Sequence, residues 1–248
     1  MANRQRAEAR RKAQAKAARG SGEDGGNSKL LIWVALGVVL VLGIGVAIFV
    51  GGDDDPAVTA GSEASDGSGA VSSLPDSLPV TVTGDSLPPF SAAENPDSAF
   101  GVAAPVLEGS NFLGEPITVD AATNGPTMLV FLAHWCPHCN AEVPRLNAWK
   151  NSGAVPPELN VVGVSTAVSE GSANYPPSSW LSNLGWTWPV MADEAQGNGE
   201  AGKAALAYGA TGWPYIVIVG ADGTVKARVS GEVEASELQS IVDAALAA

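Results

Sequence analysis

"TMLVFLAHWCPHCNAEVPRLNAWKN", residues 127 to 151, holds both cysteines and both histidines of the 248-residue chain. Residues 127–135 form a continuous apolar run of strand length, the pattern of a central strand covered on both faces. The residues that follow read as a helix. Pro137 falls in its first turn, where a missing N–H costs nothing, and Pro144 is expected to kink it. A strand that turns straight into a helix places Cys136 at the helix N-terminus, where unpaired N–H groups and the macrodipole favour a thiolate. Cys139 lies one turn further in, shielded yet able to attack a mixed disulfide formed on Cys136.

Other uses of the pair fit less well. A structural zinc site needs four ligands, and the chain has no cysteine or histidine beyond His134, Cys136, His138 and Cys139, which are crowded onto a strand end and one helical turn. Haem attachment requires Cys-x-x-Cys-His, and residue 140 is Asn. A structural disulfide across two intervening residues closes a very small loop and removes little unfolded-state entropy. A redox pair is the reading that uses the position. His138, between the two cysteines, would stabilise the Cys136 thiolate as a cation or hydrogen-bond donor and so make the disulfide more oxidising.

Outward from this stretch the pattern is of strands alternating with helices. "APVLEG" and "EPITVD" read as strands around the turn "SNFLG". After the helix come "LNVVGVST" (strand), "SSWLSNLG" (helix), "WPVMAD" (strand) and "GEAGKAALAYG" (helix). "WPYIVIVG" and "TVKARVSG" form a hairpin about "ADG", and "ASELQSIVDAALAA" closes the chain as a helix. This order predicts one α/β domain over residues 100–248, a mixed sheet with helices on both faces.

The N-terminal part is of another kind. Of thirteen Lys and Arg, eight lie in residues 1–29 with three acidic residues, which leaves five basic against twenty-three acidic side chains beyond. "LLIWVALGVVLVLGIGVAIFV", residues 30–50, carries no charge, and 21 helical residues span about 30 Å, the thickness of a bilayer core. A cleaved signal peptide would have a shorter apolar region and a small-residue cleavage site, so the reading is an uncleaved signal anchor. With basic residues before it and "GGDDD" after it, the positive-inside rule puts residues 1–29 in the cytoplasm and the rest outside the cell membrane. The acidic exterior argues against a nucleic-acid partner. Residues 51–99, rich in Gly, Ser, Asp, Pro and Ala, read as a flexible tether with a reach of roughly 40 Å; "SSLPDSLPVTVTGDSLPPF" (72–90) alone has some strand-like character.

"LVFLAHWCPHCNAEVPRL" resembles the active-site segment of the thioredoxin-like fold. The pattern Cys-x-x-Cys-x-x-Glu-x-Pro, met by Cys136, Cys139, Glu142 and Pro144, is similar to that of membrane-anchored TlpA/ResA-type thiol-disulfide oxidoreductases, and "GATGWPYIVIVGADGTV" resembles the fold's cis-proline strand and hairpin. The resemblance covers about residues 103 to 248. It implies that Pro214 is the cis-proline facing the disulfide and that the loop with Trp213 pairs with substrate backbone. It also implies that Glu142 moves protons for the buried thiol and that Trp135 caps the site. Two departures stand out. Thioredoxin carries a buried Asp six residues before its first active-site cysteine, where this chain has Val130, and Pro137-His138 matches the dipeptide of the periplasmic oxidase DsbA.

The implied function is thiol-disulfide exchange on cysteine-containing exported proteins, apocytochrome c in cytochrome c biogenesis among them, with Cys136 as nucleophile and Cys139 resolving. No cofactor or metal is implied, because the Cys136–Cys139 disulfide itself carries two electrons, and a membrane electron donor or acceptor would recycle it. The direction of flow stays open between a reductase and a DsbA-like oxidase. A peroxiredoxin-like peroxidase would want a Thr shortly before the reactive cysteine, where Ala133, His134 and Trp135 stand, and a nearby Arg; a metal-binding chaperone or thiol sensor is the non-enzymatic alternative.

Overall fold

The computed structural model describes residues 74–248. The expected basic tail (1–29), membrane helix (30–50) and first part of the tether (51–73) lie outside the described residues, among which no helix is long and apolar enough to cross a membrane. In chain order the strands are β1 (Thr81–Thr83), β2 (Val106–Ser110), β3 (Pro116–Val119), β4 (Thr127–Leu132), β5 (Asn160–Ser165), β6 (Val190–Ala192), β7 (Tyr215–Val219) and β8 (Val225–Ser230). The helices are α1 (Ala121–Asn124), α2 (Pro137–Asn151), α3 (Pro177–Asn183), α4 (Lys203–Ala207) and α5 (Ala235–Leu246).

The apolar run at 127–132 becomes β4, every residue of which is buried, at the centre of a five-stranded sheet of order β6-β5-β4-β7-β8. Its alternate side chains enter opposite layers: Met128, Val130 and Leu132 pack with residues of α2 and α5, and Leu129 and Phe131 with β2, α4 and the β7 residues Tyr215 and Val217. A strand so placed needs both faces apolar, which is why its sequence does not alternate. β5 and β6 run parallel to it and β7 and β8 antiparallel. This mixed sheet with helices on both faces is thioredoxin-like, as the sequence implies. The antiparallel β4/β7 register, Phe131 opposite Tyr215, brings the start of β7 beside the end of β4, and so Pro214 to the turn that leads to Cys136.

The structure bears on two further expectations, and one of them, the extent of the tether, changes. Pro144, expected to kink α2, lies inside a helix that continues past it to Asn151, anchored by the buried Val143, Leu146 and Trp149. The tether, expected to reach residue 99, gives way to folded chain from residue 74. β1 pairs with β2 in a second, three-stranded sheet, and Val80, Leu87 and Ala99 are buried. The Leu87 and Phe90 amides donate to the carbonyls of Ala207 and Gly209 at 2.9 and 2.8 Å, and Arg228 forms a fork onto Asp97. The apolar residues of this segment are too far apart to pack on one another, which makes its composition read as coil. Each instead fills a slot on the finished domain.

Candidate active site

After β4 the backbone makes a tight turn, the Cys136 amide donating to the Ala133 carbonyl at 3.0 Å, and Cys136 becomes the N-cap of α2 with extended φ/ψ of −75° and 122°. Pro137 is the first helical residue. Cys136 is 6% exposed, and its thiol donates to the Trp213 carbonyl at 3.5 Å. Cys139, one turn in, is fully buried, and the Ala133 amide donates to its sulfur at 3.4 Å. Both cysteines are free thiols here. Burial pushes the Cys139 thiol well up; the Ala133 amide opposes this, while the adjacent Cys136 and the Glu142 carboxylate add to it. The pair is thus divided into a thiol at the helix N-terminus that keeps a small opening to solvent and one that gives up its proton only with help.

The groups that could help converge from two elements. Glu142, on the next turn of α2, is fully buried. One carboxylate oxygen accepts from the Val233 amide at 3.1 Å and lies 3.5 Å from the Arg145 guanidinium; the other has no hydrogen-bond partner. Burial pushes this carboxyl above its ordinary value despite the amide and Arg145, so it is suited to hold a proton. No carboxylate reaches the site from β4, where Val130 is fully buried in the core. His138 is exposed, and its Nδ1 meets Glu232 Oε1 at 2.7 Å. The other Glu232 oxygen accepts from Arg145, which also stands 3.5 Å from Glu234. Glu232 is held below the ordinary carboxylate range, first by His138 and then by Arg145.

The loop after β8 carries Glu232 and also fixes the proline side of the site. The Trp213–Pro214 peptide is cis, and the Pro214 carbonyl accepts from the Gly231 amide at 2.9 Å and the Ser230 hydroxyl at 3.4 Å. Trp213 is half-buried beside Cys136, and Trp135 is anchored through its indole N–H to the Ala167 carbonyl at 2.7 Å. Cys136, Pro137, His138, Cys139, Glu142, Trp135, Trp213 and Pro214 therefore stand together at one end of the sheet.

Three residues join them that sequence reasoning did not assign to the site. His134 is fully buried; its Nδ1 donates to the Ala173 carbonyl at 2.9 Å, and its Nε2 accepts from the Ser169 amide at 3.1 Å. These two partners fix a neutral ring, and burial holds its pKa down. Asn140 bonds the Cys136 carbonyl at 2.9 Å and accepts from the Trp180 indole at 2.8 Å, tying the cysteine turn to α3. Adjacency to the cysteines was the available signal for both. Glu232 offered none, being 94 positions from His138.

Residues 100–228 match the AhpC/TSA family. The thiol:disulfide interchange protein CycY of Rhizobium leguminosarum bv. viciae is 33% identical over 111 residues, 44% of this chain and 53% of that protein. The chain thus spans about half the length of the curated relative it matches. Similar solved structures include DsbF of Mycobacterium tuberculosis (24% identity, 56% of this chain and 93% of that one, TM-score 0.46). Another is a putative thiol:disulfide interchange protein DsbE of Chlorobium tepidum (21%, 59% and 96%, TM-score 0.47).

Proposed function

Given that the chain belongs to the AhpC/TSA family, we propose that it is a thiol-disulfide oxidoreductase of TlpA/ResA type, tethered to the membrane by residues 30–50 and acting outside the cytoplasm on exported proteins. The observation that carries this reading is the asymmetry of the pair: Cys136 at the helix N-terminus beside the Trp213 carbonyl, and Cys139 fully buried with a buried carboxylate one turn on. The CycY relative is named for thiol:disulfide interchange, and the same chemistry is supported here by residues that can perform each of its steps.

In the reducing direction the Cys136 thiolate attacks one sulfur of a substrate disulfide. A bond forms between Cys136 and that sulfur, the substrate S–S bond breaks, and the second substrate sulfur leaves as a thiolate that takes a proton. Glu142 accepts the proton of Cys139, whose thiolate then attacks the Cys136 sulfur and expels the first substrate sulfur. The substrate disulfide gains two electrons and two protons, and the enzyme is left with a Cys136–Cys139 disulfide for a membrane electron donor to reduce. The oxidase reading runs these steps backwards and is favoured by Pro137-His138. A potential near −120 mV, against about −270 mV for thioredoxin, would select it.

Peroxidase chemistry finds less support. Arg145, the arginine of α2, is engaged by Glu142, Glu232 and Glu234 instead of facing the Cys136 sulfur. The test of the main reading is capture: Cys139→Ala accumulates mixed disulfides with exported proteins, and Cys136→Ser accumulates none. Rapid consumption of hydrogen peroxide with no protein adducts would favour the peroxidase.

A further inference from the structure

The charged groups around His138 come from two elements. α2 supplies His138, Arg145 and Glu142, and the loop after β8 supplies Glu232 and Glu234. Glu232 bridges the His138 ring and the Arg145 guanidinium, one oxygen on each. The bridge turns the His138 Nδ1 toward the loop, and the hydrogen bond of the Cys136 sulfur is with the Trp213 carbonyl rather than with either ring nitrogen of His138. The same loop is pinned on both sides of Glu232: the Gly231 amide donates to the Pro214 carbonyl at 2.9 Å, and the Val233 amide to Glu142 at 3.1 Å. The carboxylate is therefore carried on backbone tied to both the proline and the buried acid of the site.

A histidine cation near a thiolate at a helix N-terminus stabilises the reduced form and makes the disulfide oxidising. A carboxylate in contact with that histidine favours its charged form but pairs the charge and holds the ring toward the loop, so that less of it is felt at the sulfur. We propose that Glu232 is a positioning residue that cancels the oxidising influence of His138 and sets the reduction potential of the Cys136–Cys139 pair on the reducing side, so that a DsbA-like dipeptide serves a reductase. The inference rests on the oxidoreductase reading above and names the residue that decides its direction.

The test is the equilibrium of the full-length chain with glutathione redox buffers, in wild type, Glu232→Gln, His138→Ala and the double variant, with the Cys136 thiolate followed by its ultraviolet absorbance. Glu232→Gln keeps the size of the side chain and removes its charge. It is expected to shift the equilibrium about tenfold toward the dithiol, about 30 mV for a two-electron couple, and to move the thiolate titration to lower pH. In the His138→Ala background the same change is expected to have a clearly smaller effect, because only the direct action of the Glu232 charge on the thiolate remains and the part carried through His138 is gone. An unshifted potential in Glu232→Gln, or an equal shift with and without His138, overturns the role of Glu232 while leaving the oxidoreductase reading standing. Failure of the wild-type chain to form its disulfide in any glutathione buffer overturns both.

Discussion

Glu142 is the buried carboxylate of the site, and one of its oxygens is unpartnered. Its carboxyl is raised in the folded protein, so the folded state keeps this proton at pH values where the unfolded chain has lost it. That contribution to stability is present below about pH 4.5, the ordinary glutamate range, and is lost as pH rises through the folded value. Glu142→Gln, whose amide oxygen can still accept from Val233, removes the titration. Relative to wild type the variant should gain stability between pH 4 and pH 8, as read by urea denaturation; a difference that is flat with pH would contradict this. The same variant should slow the second, resolving step of exchange by about a hundredfold, the low end of what a positioned acid-base group supplies, as read by stopped-flow reduction of a disulfide substrate. His134 has the opposite sign. Its pKa is lowered by burial, so the unfolded ring takes up a proton near pH 6.5 that the folded ring refuses, and stability falls as pH drops below that value. Protonation would turn Nε2 into a second donor facing the Ser169 amide. A His134→Gln chain should show a shallower acid limb in the same denaturation series. The cysteines and His138 could be picked out from neighbours a few positions away; the burial that gives Glu142 and His134 these properties could not.

β4 and α2 were legible because each has a local signature: an unbroken apolar run, which the structure buries at all six positions of β4, then a proline in the first helical turn. The segment at residues 74–99 was not, since its burial is supplied by partners far along the chain. Arg228 is the clearest of these. Its side chain is fully buried and bonds Asp97 through Nε at 2.7 Å and the Pro88 carbonyl at 2.7 Å. Asp97→Ala strands a buried guanidinium and should cost about 3 kcal/mol, measured by urea denaturation, with residues 74–99 becoming open to proteolysis before the central sheet. Gly209 offers an independent check. It sits at φ +70°, and a Cβ there would lie 2.3 Å from the Pro88 carbonyl oxygen. Gly209→Ala should therefore release the same segment while leaving the cysteine turn, on the β4/α2 connection, able to exchange.

For the whole chain, the sign change in charge around residues 30–50 carries the proposal about location. The full chain should stay with membranes through an alkaline carbonate wash, and a chain lacking residues 30–50 should not. A specific-protease site inserted between residues 51 and 73 should be cut by protease added outside intact cells; protection from it would reverse the orientation. Residue order alone was enough to read a strand running into a helix that bears Cys-x-x-Cys, because periodicity and spacing are local properties of a chain. The setting of that pair was decided in three dimensions. The antiparallel register of β4 and β7 delivers Pro214 to Cys136, and the loop after β8 delivers Glu232 to His138 across 94 positions. Such meetings arise from sheet register and the summed packing of distant segments, to which no single stretch of sequence holds the key.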